Sequence, residues 1–116
     1  MLQRKINSFV YSIKGLKTVW TEEHNFRFEV LCAFVVIFCI YFFHFTLIES
    51  LFCIVAITIV IGAEIINTVV EDICNKVQPE FDPVIGKIKD TMAAFVLVSV
   101  LGACFVGLLI FYTHFR

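Results

Sequence analysis

The chain has 116 residues, 60% of them hydrophobic and 16% charged, with a formal net charge of −1 and a mean hydropathy of +0.95. An ordinary soluble domain carries about 25% charged residues, and so short a chain has too little interior to hide this much apolar surface from water. The near-neutral balance excludes nucleic acid as a partner, because phosphate binding by counterion release needs a basic surface. The chain reads as an all-α membrane protein.

Its first segment has a pattern of its own. Leu2, Ile6, Phe9, Ile13, Leu16 and Trp20 fall three or four residues apart, with Arg4, Lys5, Lys14 and Lys17 largely on the other side. That spacing predicts an amphipathic helix lying in the headgroup region, apolar face down and cations near lipid phosphates. Charge interrupts the apolar residues every few positions and no small-residue cleavage site follows, so the segment is expected in the mature protein. Three apolar runs come next, at 30–48, 51–70 and 92–113. Each is long enough, at a helical rise of about 1.5 Å per residue, to cross a hydrocarbon layer about 30 Å thick. The expected organisation is one domain, 1–116: surface helix and lipid access over 1–28, transmembrane helices over 29–48, 51–74 and 91–113, and a loop over 75–90.

Arg4, Lys5, Lys14, Lys17 and Arg27 precede the first span, no Lys or Arg separates the first two, and Lys76, Lys87 and Lys89 lie between the second and third. The positive-inside rule puts the N-terminus and the 75–90 loop in the cytoplasm and the turn near Glu49 outside, with only Arg116 opposing. Cys32, Cys39, Cys53, Cys74 and Cys104 form no C-x-x-C pair and no metal spacing with His, so packing is their expected role.

The second span carries the chemistry. Glu64, Asn67, Thr68 and Glu71 recur at i, i+3, i+4 and i+7, which gathers them into one polar stripe on an otherwise apolar rod. Ionisable groups at membrane depth are costly and by default mark a site, a pathway or a buried pair. Glu71 lies near the cytoplasmic end, and Glu64 about 10 Å deeper along the same face. Glu22 and Glu23 approach from the same side, and the loop brings Lys89 and Asp90 to the start of the third span. Two surface carboxylates suit Mg²⁺, which binds one or two protein carboxylates together with substrate phosphates. A deeper, desolvated carboxylate suits a general base acting on a lipid hydroxyl.

Plainer roles exist for each residue. Glu64 as a neutral acid bonded to a neighbouring helix, Asn67 and Thr68 as interhelical bonds, and Glu71 snorkelling to the interface would all serve structure alone. Glu29, Glu49, Asp72, Glu80 and Asp82 read first as solvated or interfacial charges, and His24, His44 and His114 as interfacial residues without a shared spacing. No G-x-x-x-x-G-K-[ST], G-x-G-x-x-G or D-F-G motif is present.

The run Ala63-Glu-Ile-Ile-Asn-Thr-Val-Val-Glu71 followed by Gly86-Lys-Ile-Lys-Asp-Thr-Met-Ala-Ala94 resembles the small integral-membrane lipid kinases of bacteria, the prokaryotic diacylglycerol kinase and undecaprenol kinase family. That family shows E-[LI]-[LIV]-N-[ST]-A-[IV]-E on its second transmembrane helix and K-D-x-x-[AS]-A opening its third. Trp20, the segment Glu23-His-Asn-Phe-Arg27 and the trio Ser12, Lys14 and Gly15 are similar to the family's N-terminal region.

The resemblance implies an ATP-dependent lipid kinase, multi-pass in the bacterial inner membrane with its active site facing the cytoplasm, and a homotrimeric bundle. By position, Glu64 becomes the general base with Asn67 orienting groups beside it. Glu23 and Glu71 become the Mg²⁺ ligands. Lys89 and Asp90 contact the nucleotide with help from Tyr11, Glu80 and Asp82, while Arg4, Ser12, Trp20 and Ala93 line the lipid side. Such roles suit phosphoryl transfer, which asks for in-line positioning and neutralised phosphate charge.

Departures are few: Val69 replaces a small Ala, Asn75 stands where many members carry Asp, and Ala93 where some carry Ser. The Glu-Glu-His-Asn-Phe-Arg run and the Pro-Glu-Phe-Asp-Pro loop lean towards undecaprenol over diacylglycerol as the lipid. A transporter carrying protons on Glu64 is the alternative from another class.

Overall fold

The computed structural model describes every residue from Met1 to Arg116 and contains four helices: α1 (Leu2–Glu22), α2 (His24–Phe42), α3 (Leu47–Val77) and α4 (Pro83–His114). The last three are long and apolar enough to cross a membrane. The expected architecture of an amphipathic helix followed by three spanning helices is therefore observed.

A single residue separates α1 from α2. Glu23 is extended, with φ −112° and ψ 110°, and serves both as the C-cap of the first helix and the N-cap of the second. Its N–H still bonds the Val19 carbonyl at 2.9 Å, so the chain bends there without a loop. Val19 is the one buried residue of α1. The rest of that helix leaves its apolar stripe, including Phe9, Ile13 and Trp20, open to the surroundings, as a helix bedded in lipid headgroups requires.

The first spanning helix differs from the expected 29–48. It starts at His24, because the extended Glu23 nucleates it early, and it stops at Phe42. His44 ends it by entering the left-handed region at φ 54°, where the Phe45 N–H reaches back to the Ile40 carbonyl at 3.1 Å. This is the Schellman type of helix stop. Thr46 then opens α3 with a reciprocal cap: its hydroxyl accepts from the Glu49 N–H at 3.2 Å and the Glu49 carboxylate accepts from the Thr46 N–H at 2.9 Å. Each such cap is worth about 1 kcal/mol.

The expected 75–90 loop is also shorter than supposed. Helix α3 runs on to Val77, and α4 begins at Pro83, because Asp82 accepts from the Val84 and Ile85 N–H groups at 2.8 and 3.1 Å and proline is preset for the first helical position. Only Gln78–Asp82 remains as a turn. With 31 residues, α3 is about 46 Å long, longer than the hydrocarbon layer, so it either reaches beyond that layer or crosses it at a tilt.

Helices α3 and α4 pack side by side as an antiparallel pair, and α2 lies against α3. The far end of this pair is clasped. His114, in the last turn of α4, places Nδ1 2.9 Å from the Glu49 carboxylate and Nε2 2.8 Å from the Phe43 carbonyl oxygen. Phe43, Phe45 and Phe115 pack around the imidazole and one another with ring centroids about 5 Å apart. One ring thereby joins the α2–α3 turn, the cap of α3 and the end of α4.

Only 10 of the 116 residues are buried, which leaves most of the apolar surface for lipid or for other copies of the chain.

Substituting His114 by Ala unties all three elements at once. The thermal unfolding midpoint in detergent is expected to fall by several degrees, while Arg116→Ala, at the exposed terminus, leaves it unchanged. Equal midpoints for both variants would show that the clasp contributes nothing.

Candidate active site

At the opposite end from the clasp, α3 presents its polar stripe inward. Glu64 keeps 3% of its surface and Thr68 keeps 4%; they are the only polar residues among the ten buried ones. A carboxylate does not become the best-hidden ionisable group of a chain by chance of exposure, because any rotation of α3 would return it to the open side. The hydroxyl of Thr68 donates back to the Glu64 carbonyl oxygen at 3.0 Å, which satisfies the hydroxyl without using the carboxylate. No side-chain polar atom in the structure is both sealed and unpartnered. The Glu64 carboxylate bonds to nothing in the chain and is not fully sealed.

More acids converge on it. The charged neighbours of Glu64 are Glu29, Glu23 and Glu71, and those of Glu23 are Glu71, Asp72 and Glu22. Three elements supply this cluster: the bend at Glu23, the second turn of α2 for Glu29, and one face of α3 for Glu64 and Glu71, two turns apart. Burial, followed by repulsion from Glu71, Asp72 and Glu22, holds the Glu23 carboxyl above the ordinary carboxylate range. No Lys or Arg neutralises any of them, for the one ion pair in the chain is His114 with Glu49 at the far end.

Three or more ligands do not gather tightly enough to hold an ion unaided. The residues present fit a cation that arrives with its own phosphate ligands and borrows one or two carboxylates, which is the habit of Mg²⁺. Glu23 and Glu71 are the pair that the sequence singles out for that role.

The remaining residues singled out from the sequence divide into two groups. Asn67 is half-buried on α3, one turn from Glu64. Lys89 is half-buried on α4, and its ammonium donates to the Asn75 side-chain oxygen at 2.7 Å. Asp90 and Glu80 are exposed at the same end, while Asp82 commits one carboxylate oxygen to capping α4. On α1, Arg4, Tyr11, Ser12 and Trp20 are exposed, and Lys14 lies over the Tyr11 ring at 5.7 Å. Ala93 is exposed on α4. Within one chain these surface residues are not drawn into the carboxylate cluster.

Glu29 is the residue that sequence reasoning assigned to the interface and that the structure places at the site. The signal was available in principle: once α2 is seen to begin at His24, Glu29 falls in its second turn. Glu29 is also the only charged residue lining an apolar groove of about 360 Å³ among α2, α3 and α4, where Phe28, Ala33, Val60, Ile61 and Cys104 form part of the wall. An apolar trough that ends at a carboxylate cluster can hold a molecule with a hydrocarbon part and a polar head.

The chain is similar to known proteins along nearly its whole length. Residues 10–111 match the family described as Prokaryotic diacylglycerol kinase. The diacylglycerol kinase of Haemophilus influenzae is 31% identical over 112 residues, covering 95% of this chain and 95% of that protein. The diacylglycerol kinase of Escherichia coli is 26% identical over 112 residues, covering 97% of this chain and 92% of its own length.

The crowding at Glu23 has a measurable sign. A carboxyl whose folded pKa is raised stabilises the fold while protonated and loses that contribution as pH rises through the folded value. Ionised Glu23 therefore costs stability at neutral pH. Glu23→Gln is expected to raise the thermal unfolding midpoint at pH 7 by a few degrees, and the gain is expected to vanish by about pH 3.5, below the ordinary carboxylate range. A midpoint at pH 7 that stays level or falls would overturn this account of the cluster.

Proposed function

Because the chain belongs to the prokaryotic diacylglycerol kinase family, we propose that this membrane lipid kinase transfers the γ-phosphoryl group of ATP to the primary hydroxyl of diacylglycerol, with Glu64 as the general base. The observation that carries the reading is the buried Glu64 carboxylate beside Glu23, Glu29 and Glu71 with no cation among them. The relatives matched are named diacylglycerol kinases, and this outweighs the sequence features that lean towards undecaprenol.

In this reading the lipid hydroxyl oxygen attacks the γ-phosphorus in line, the bond to the β,γ-bridging oxygen breaks, and ADP departs. The hydroxyl proton passes to the Glu64 carboxylate, which must lie within hydrogen-bond reach of it. Asn67 orients groups beside Glu64. Glu23 and Glu71 would hold Mg²⁺, which when bound offsets the negative charge of the phosphates. Lys89 and Asp90 contact the nucleotide, with Tyr11, Glu80 and Asp82 at its margin, and Arg4, Ser12, Trp20 and Ala93 face the lipid. The groove ending at Glu29 takes an acyl chain.

The site faces the cytoplasm of a bacterial inner membrane in this reading, supported by the lysines and arginines clustered on that side. A homotrimer completes it. With so little of a single chain buried, neighbouring copies would cover the apolar faces and bring surface-helix residues to the carboxylates.

Purified protein in detergent with labelled ATP and Mg²⁺ tests the proposal. Label is expected in diacylglycerol, at least tenfold less in undecaprenol, and none without Mg²⁺. Glu64→Gln is expected to lower the rate by about 10² to 10⁴, while Glu49→Gln, at the far end, keeps it. Label in neither lipid from folded protein ends the kinase reading, and stronger label in undecaprenol reverses the choice of lipid. Activity surviving in Glu64→Gln removes Glu64 as base. A detergent-corrected mass of one chain would refute the trimer.

A further inference from the structure

We propose that Asn75 is a positioning residue for the nucleotide, its side-chain oxygen holding the Lys89 ammonium at the mouth of the site and away from the neighbouring acids. The inference rests on the reading of Lys89 as a nucleotide contact. It concerns what fixes that lysine in place.

The bond itself joins two helices. Lys89 Nζ donates to Asn75 Oδ1 at 2.7 Å, so the last turns of α3 are tied to the second turn of α4 across Gln78–Asp82. Apart from the His114 clasp, it is the only side-chain to side-chain hydrogen bond between residues distant in sequence. Asn75 stands four residues, one turn, beyond Glu71, which is seven residues, two turns, beyond Glu64, so the three share one face of α3. The anchor therefore continues the acidic stripe towards the water.

Its chemistry suits a phosphate. A lysine ammonium has three N–H donors and no acceptor; one is spent on Asn75 and two remain. The carboxamide is neutral, so the full positive charge is kept. Lys89 forms no ion pair with Glu71, Asp72, Asp90 or any other acid, although Asp90 follows it in the chain and Glu71 and Asp72 stand four and three residues before Asn75. An untethered lysine would sample many rotamers, and ordering it on binding costs side-chain entropy. Asn75 settles much of that before the nucleotide arrives, which is the usual advantage of preorganisation.

Steady-state kinetics with ATP and lipid varied separately, together with direct binding of a fluorescent ATP analogue without turnover, test the proposal. Asn75→Ala is expected to raise KM for ATP and weaken analogue binding by about tenfold, the effect of one hydrogen bond to a charged group, with KM for lipid unchanged. Asn75→Asp keeps an acceptor oxygen at the same reach but pairs part of the charge, and is expected to fall between wild type and Asn75→Ala. In a Lys89→Ala background, Asn75→Ala is expected to add nothing.

If Lys89→Ala leaves analogue binding unchanged, the nucleotide role of Lys89 is wrong. If Lys89→Ala weakens binding and Asn75→Ala does not, the nucleotide role stands and the positioning role fails. An Asn75→Asp variant worse than Asn75→Ala, or an undiminished Asn75→Ala effect without Lys89, likewise overturns it. Asn75 is exposed on a helix, where Ala favours folding, and unfolding midpoints of each variant separate any loss of fold from loss of binding.

Discussion

Mutual repulsion among carboxylates held at one end of a helical bundle is the constraint on which the structure turns. Glu23, Glu29, Glu64 and Glu71 come from three different elements, and none has a cation to offset it. Like charges in a low-dielectric setting separate unless covalent and packing geometry hold them. Here the holding is done by the chain bend at Glu23, by the packing of α2 against α3, and by the helical repeat that stacks Glu64 and Glu71 on one face. The cost is borne by the fold, since no basic side chain of the chain is paired with any of the four.

The two ends of the molecule contrast accordingly. At the α2–α3 turn the capping and charged groups are paired: Thr46 and Glu49 cap each other, and His114 bridges the Glu49 carboxylate to the Phe43 carbonyl amid phenylalanine rings. That end is satisfied and static in design. At the other end the acids lack partners, α1 lies open, and a lysine is tethered by a neutral amide instead of an acid. Proteins concentrate such unsatisfied chemistry where they act. Stability is supplied by one end of the bundle and chemistry by the other.

The periodicity of α3 was legible in the sequence, because a polar stripe on an apolar rod has one physical meaning at helical spacing, and burial of Glu64 and Thr68 follows from it. Helix limits were less so. The 30–48 run looks continuous by hydropathy, yet a left-handed His44 and the Thr46 to Glu49 capping pattern divide it; Thr-x-x-Glu is a helix start that hydropathy alone passes over. The same neglect of caps lengthened the 75–90 loop, where Asp82-Pro83 marks the start of α4. Because α2 was begun too late, Glu29 was left at the interface. The His114 to Glu49 and Lys89 to Asn75 bonds join residues far apart in sequence, and no local pattern encodes them.

Glu23 is both the junction of α1 with α2 and a member of the acidic cluster, and no flexible linker separates these two duties. A loop of several residues would leave the angle between the two helices independent of the acids. With a single residue between them, that angle is written in the φ and ψ of the backbone from which the Glu23 carboxylate hangs.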